Sequence, residues 1–132
     1  MDVAAGRAIA HVAAASEVAA RRDALQRELQ SVPDVVVFGG SAPRLPNTLC
    51  LAFDGVNAES LVMGLGDMVI SSGSACSSTR QGVSPTLLAM GVSESIAAGA
   101  IRISIGHSTT DAELATVGQT IRSAVEAIRQ LA

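Results

Sequence analysis

Residues 100–105 read Ala100-Ile101-Arg102-Ile103-Ser104-Ile105. Isoleucines at every second position put Ile101, Ile103 and Ile105 on one face of an extended strand and Arg102 and Ser104 on the other. Such a strand belongs to a sheet with one face against a core. Immediately downstream, Thr110-Asp111-Ala112-Glu113 has the form of a capping box. Behind it Leu114, Val117, Ile121, Val125, Ile128 and Leu131 recur at three- and four-residue spacing, which predicts an amphipathic helix. A strand and a helix that each carry a single apolar face are the parts of a two-layer sandwich.

Working upstream, Ser93 starts a further helical turn, and Ser84-Pro85 supplies an N-cap followed by proline at the first helical position, opening a short helix through Met90. Met68-Val69-Ile70 reads as a short buried strand. Asn57 caps a helix running to about Leu65, with Glu59 in its first turn. Thr48 to Phe53 is a strand closed by Asp54-Gly55. Val35-Val36-Val37-Phe38 is another, ending at Gly39-Gly40, with a turn-rich link from Ser41 to Pro46 between the two. From about Val3 to Gln30 the chain is Ala-rich and helical. Ile9, Val12, Val18, Leu25 and Leu29 form its apolar stripe, and Arg21, Arg22, Asp23, Arg27 and Glu28 its wet face. Repeats and linkers are lacking. The prediction is one domain over residues 1–132, of α/β (α+β) class. It is a small two-layer sandwich with a short mixed or antiparallel sheet and helices packed on one side; a doubly wound sheet is the weaker alternative.

Composition narrows the function. The chain is 48% apolar and 16% charged, too apolar for intrinsic disorder. Aromatics make up 2% (Phe38 and Phe53), so aliphatic residues build the core. A formal charge of −3, with charges scattered, argues against nucleic-acid binding. No run approaches the ~18 apolar residues of a membrane span. The Ala-rich start opens on Asp2 and carries Arg7, His11 and Glu17, unlike a signal peptide. Two cysteines are too few for a disulfide framework and point to a reducing cytoplasm. All nine basic residues are Arg, so chemistry that needs a lysine Schiff base cannot be completed by these residues alone.

Two residues stand out chemically. Cys50 lies in an apolar strand run, where a small buried hydrophobe is the ordinary reading. Cys76 instead lies within Ser71-Ser72-Gly73-Ser74-Ala75-Cys76-Ser77-Ser78-Thr79-Arg80-Gln81-Gly82, which has almost nothing to bury. A polar, glycine-containing loop keeps a thiol accessible, and Arg80 and Arg102 are the cations available to favour its thiolate. A chance loop cysteine is the plain alternative. Arg102, on the face opposite three isoleucines, reads most simply as a solvated strand position; the sharper reading is a guanidinium held rigidly to grip a carboxylate. Cys50, Cys76, His11 and His107 lack zinc-ligand spacing, so no metal site is expected. The Ser/Gly loop has no phosphate-loop lysine.

The stretch Ser71–Cys76 resembles the persulfide loop of cysteine desulfurases, the class-V aminotransferase branch of the pyridoxal-phosphate enzymes. The likeness extends to Arg44-Leu45-Pro46-Asn47-Thr48-Leu49, to Gly55-Val56-Asn57-Ala58-Glu59-Ser60-Leu61, and to Ile101–Gly106 with Thr109-Thr110 after it. Order and spacing agree over nearly the whole chain, and the loop is of the longer, Ser-rich type. The resemblance implies that the chain corresponds to the C-terminal small domain of such an enzyme. Cys76 would take sulfur from L-cysteine, leaving L-alanine and a protein persulfide, then pass it to an acceptor protein for iron–sulfur or other sulfur biosynthesis. Ser71, Ser72, Gly73, Ser74 and Ala75 would form its mobile loop, and Arg102 would bind the substrate carboxylate. Pyridoxal 5'-phosphate would be held by a larger domain or partner chain, so none is expected bound to these residues and the chain alone is expected to be inactive. An apolar face covered by that domain would favour self-association. The runner-up reading is a non-enzymatic persulfide carrier or interaction module; a third is a decayed fragment kept for assembly.

Overall fold

The computed structural model describes residues 3–65, 70–72 and 83–132. Its elements run α1 (Val3–Ala13), α2 (Ala15–Leu29), β1 (Val35–Val37), β2 (Thr48–Phe53), α3 (Ala58–Gly64), β3 (Ile70–Ser72), α4 (Pro85–Ala89), α5 (Glu94–Ala98), β4 (Ala100–Ser104) and α6 (Asp111–Leu131). The four strands form one sheet in the order β1-β2-β4-β3. Every neighbouring pair is antiparallel. Of the two sheet types expected, the antiparallel one is therefore found. Strands β2 and β3 run parallel with β4 between them, so β2-α3-β3 is a split βαβ unit.

The period-2 alternation of β4 divides the sheet as predicted. Ile101 and Ile103 are buried, whereas Arg102 and Ser104 are exposed. Register extends this division to β2, because Leu49 faces Ile103 and Leu51 faces Ile101. These residues and Phe53 meet Leu25 and Leu29 of α2, Leu61 of α3, and Leu114, Ile121 and Val125 of α6 in the main core. The capping box of α6 is formed in full: Thr110 accepts from the Glu113 backbone N–H, and the Glu113 carboxylate accepts from the Thr110 backbone N–H at 2.7 Å. Asn57 caps α3 by accepting from the backbone N–H groups of Glu59 and Ser60.

Among the described residues, helices cover the other face at one end. Ala52 and Ala100 are strand partners there. They pack with Leu87 of α4 and Ala97 of α5 in a second, smaller cluster. Gly99 joins α5 to β4 where no side chain fits: a β-carbon on it would lie 2.5 Å from the Val56 carbonyl oxygen. The long helices thus lie on one side as expected, and two short ones close part of the other.

Several expectations are corrected. The N-terminal helix is two segments with a turn at Ala14, and the hydrogen bond from Val18 N–H to Ala14 carbonyl carries the chain straight into α2. Of its predicted stripe, Val18, Leu25 and Leu29 are buried, but Ile9 and Val12 are 65% and 76% exposed. Helical spacing marks which side chains share a face, not whether another element covers that face. The same reason leaves Leu131 exposed at the end of α6. Arg22 departs in the opposite sense. Assigned to the wet face, it is only 7% exposed. Its positions relative to Val18, Leu25 and Leu29 place it inside the buried stripe. Strand β3 occupies 70–72, starting at the last residue of the predicted 68–70; Met68 and Val69 lie outside the described residues. Pro85 does open α4, but Ser84 makes no side-chain capping bond. No helix among the described residues is long and apolar enough to cross a membrane.

Candidate active site

The sheet face opposite the main core carries Thr48, Cys50, Arg102 and Ser104, and the α4–α5 lid stops at Ala52 and Ala100. Arg102 occupies the centre of that open surface. Its strand β4 is flanked on both sides, with Cys50 of β2 and Ser71 of β3 as its two register partners. A central strand hydrogen-bonded along both edges holds its Cα positions more rigidly than a loop, which suits a side chain that must bind in a fixed direction. The guanidinium is exposed. Ion pairs among the described residues are Arg21–Asp111, Arg22–Asp23 and Arg44–Asp23. None draws on Arg102, whose fork of donors is available to a carboxylate from outside.

Cys50 is half-buried beside it. Burial pushes the thiol pKa above its ordinary value, and the positive charge of Arg102 pulls it part of the way back. Desolvation dominates, so Cys50 is a neutral thiol at neutral pH and a poor nucleophile. The sequence reading of a buried small hydrophobe is half right: Cys50 is partly buried, but on the open face, beside a cation.

The predicted site residues are only partly brought together by the described structure. Arg102 sits where the strand pattern placed it. Ser71 and Ser72 are the last two residues of β3, opposite Arg102 and Ile101. Gly73, Ser74, Ala75, Cys76 and Arg80 lie outside the described residues. His107 follows β4 in a turn and lines a cavity of about 360 Å³ with Leu45, Pro46 and Asn47. No three His, Cys, Asp or Glu side chains converge as metal ligands would among the described residues.

Sequence reading missed a charged cluster beside this face. Arg22 donates from Nε and Nη2 to Asp23 Oδ1 at 3.0 and 2.8 Å, and from Nη1 to the Leu45 carbonyl at 2.6 Å. Arg44 reaches the same Asp23 oxygen at 3.4 Å and also donates to Gln26. The cluster pins the β1–β2 link onto α2. Its one available signal was the i, i+4, i+7 placement of Arg22 among Val18 and Leu25.

The family model described as aminotransferase class-V matches residues 5–117. Cysteine desulfurase IscS of Ectopseudomonas mendocina is 37% identical over 114 residues, covering 86% of this chain and 28% of that protein. Cysteine desulfurase IscS of an Anaeromyxobacter species is 39% identical over 120 residues, covering 90% of this chain and 29% of that protein. Among solved structures, a NifS-like protein from Rickettsia africae superposes with a TM-score of 0.73 at 24% identity over 85% of this chain, and so shares the fold. The chain spans less than a third of the length of these relatives. With a family model matching most of its residues, the chain belongs to the aminotransferase class-V family.

Proposed function

We propose that residues 1–132 act as the C-terminal, sulfur-accepting domain of a cysteine desulfurase, converting L-cysteine to L-alanine with the sulfur taken up on Cys76. The observation that carries this reading is the register of β3, β4 and β2. Arg102 is exposed on the central strand, and Ser71, at the root of the Cys76 segment, is its partner in the ladder. Covalent geometry alone keeps Cys76 within roughly 18 Å of Ser71, at ~3.6 Å per residue. A carboxylate gripped by Arg102 and a thiol on that tether are therefore confined to one neighbourhood. Relatives named cysteine desulfurase supply the substrate class.

In this reading Arg102 orients the substrate through its carboxylate, and the Cys76 thiolate attacks the substrate sulfur. The S–S bond of the persulfide forms as the substrate C–S bond breaks, and its electron pair and a proton go to the carbon skeleton, which leaves as L-alanine. An acceptor protein then takes the outer sulfur, for iron–sulfur or other sulfur biosynthesis in a reducing cytoplasm. Pyridoxal phosphate does not fit these residues by themselves, because their basic residues include no lysine. The lysine and the electron sink must come from a larger cofactor-binding domain or a partner chain. The persulfide-carrier reading keeps Cys76 and drops Arg102; the lack of lysine favours it if no such domain joins the chain.

The test adds the chain to a polypeptide covering the remaining part of its relatives and measures sulfide release from L-cysteine. Cys76→Ser is expected to abolish release, and Arg102→Ala to lower kcat/KM at least ~100-fold with the fold retained. Full activity of the serine variant would remove Cys76 from the chemistry. Unchanged kinetics in the alanine variant would remove Arg102.

A further inference from the structure

Arg22 is a charged residue that the chemistry above leaves unused and the fold buries. It lies in the apolar stripe of α2, between Val18 and Leu25, and is 7% exposed. Desolvating a guanidinium is costly, and a well-packed apolar side chain in such a place is often as stabilising or more so. Stability alone therefore gives no reason for an arginine here. Its contacts do. Nε and Nη2 donate to Asp23 Oδ1, which fixes the direction of the planar fork. Nη1 is then aimed at the Leu45 carbonyl, 2.6 Å away.

That carbonyl controls the entry into β2. Pro46 fixes its own φ and restricts Leu45 before it, so holding Leu45 aims Asn47. The Asn47 carbonyl accepts from the Ile105 backbone N–H at 2.8 Å, next in the ladder to Thr48 opposite Ser104. Further in, Cys50 stands opposite Arg102. A slip of one residue in β2 would turn its side chains to the wrong face. From Arg22 to Arg102 the path is unbroken: side chain to carbonyl, carbonyl to strand, strand to strand.

We propose that Arg22 is a positioning residue for Arg102, a buried latch that sets where β2 joins β4 and so the direction in which the Arg102 guanidinium meets the substrate carboxylate. This role deepens the desulfurase reading and rests on it, because it acts through Arg102.

The test is a double-mutant cycle on the chain combined with a polypeptide covering the remaining part of its relatives, measuring kcat and KM for L-cysteine. Arg22→Met fills similar space and leaves Asp23 paired with Arg44, so no buried charge is stranded. It should leave the urea unfolding midpoint of the 132-residue chain in place, yet raise KM about fivefold with kcat little changed. In an Arg102→Ala background the same substitution should have no further effect on kcat/KM. An equal fold-loss in both backgrounds, or an unchanged KM with Arg102 present, overturns the role. Exchange of the Ile105 backbone amide in the 132-residue chain separates this from failure of the desulfurase reading. Faster exchange in Arg22→Met supports the latch, and unaltered exchange overturns it. Faster exchange together with unchanged kinetics in Arg102→Ala alone overturns the carboxylate role of Arg102 on which the proposal rests. Should Arg22→Met fail to fold, Asp23→Asn, which removes the anchor of the fork, goes through the same cycle and is read by the same outcomes.

Discussion

The two faces of one sheet are built from the same strands, yet they do different things. On the inner face Leu49, Leu51 and Ile101 are fully buried beneath α2, α3 and α6. On the outer face the alternate residues of those strands, Thr48, Cys50, Arg102 and Ser104, stay wholly or partly in reach of solvent. Among the described residues, the Ala52–Ala100 end is the part closed over, by two short helices. The inner face supplies rigidity through apolar burial. The outer face uses that rigidity to present polar groups at fixed spacing. Stability and chemistry are separated by a single pleat.

Breaking the inner face should have the largest effect on stability. Leu51→Ala should lower unfolding free energy by about 2–5 kcal/mol, read from urea denaturation. Arg102→Ala, beside it in the ladder but on the other face, should change it by no more than about 0.5 kcal/mol. Equal losses would mean the two faces are not functionally distinct. Next in size is Gly99→Ala, which forces a methyl group against the Val56 carbonyl and should cost about 1–3 kcal/mol. It disturbs the α4–α5 lid, so the loss should be accompanied by altered shifts at Ala52 and Ala100.

A smaller effect concerns the cap that holds α6 over the inner face. Thr110→Ala should cost about 1 kcal/mol by thermal unfolding. The backbone N–H of Thr110, and then its hydroxyl, lower the Glu113 pKa below its ordinary value. A depressed carboxylate pKa contributes stability above the unfolded-state value, and that contribution is lost as pH falls through the folded one. The cost of Thr110→Ala should therefore shrink at acidic pH.

The subtlest test lies on the outer face. In a Cys76→Ser background, alkylation of Cys50 should be slow at neutral pH, because burial raises its pKa. Replacing Arg102 by Gln should slow it further, since the cation that partly offsets burial is gone. For the same thiol, the raised pKa means its contribution to stability is complete below the unfolded-state value and disappears as pH climbs through the folded one. An alkylation rate indifferent to Arg102 would show that the two side chains do not sense each other across the ladder.

Local rules of spacing and capping were legible in the residues. The 100–105 alternation, the Thr110–Glu113 box, the Asn57 cap and the Thr48–Phe53 strand are all determined by interactions within a few positions, so the sequence by itself settles them. It also settled the absence of lysine, which moves any Schiff base outside these residues, and the polar setting of Cys76. Contacts between distant segments are a different matter. Whether Ile9 and Val12 are covered depends on what lies against α1, and no pattern within α1 reports that. Arg22 reads as solvated from its charge, but in the fold it is buried and, besides its neighbour Asp23, meets the Leu45 carbonyl 23 residues away. Cys50 becomes a neighbour of Arg102 only through strand register. Hydrophobic periodicity orients a side chain relative to its own element. Only the packing of elements against one another decides what that side chain meets, because burial, ion pairing and pKa depend on atoms brought together across the chain.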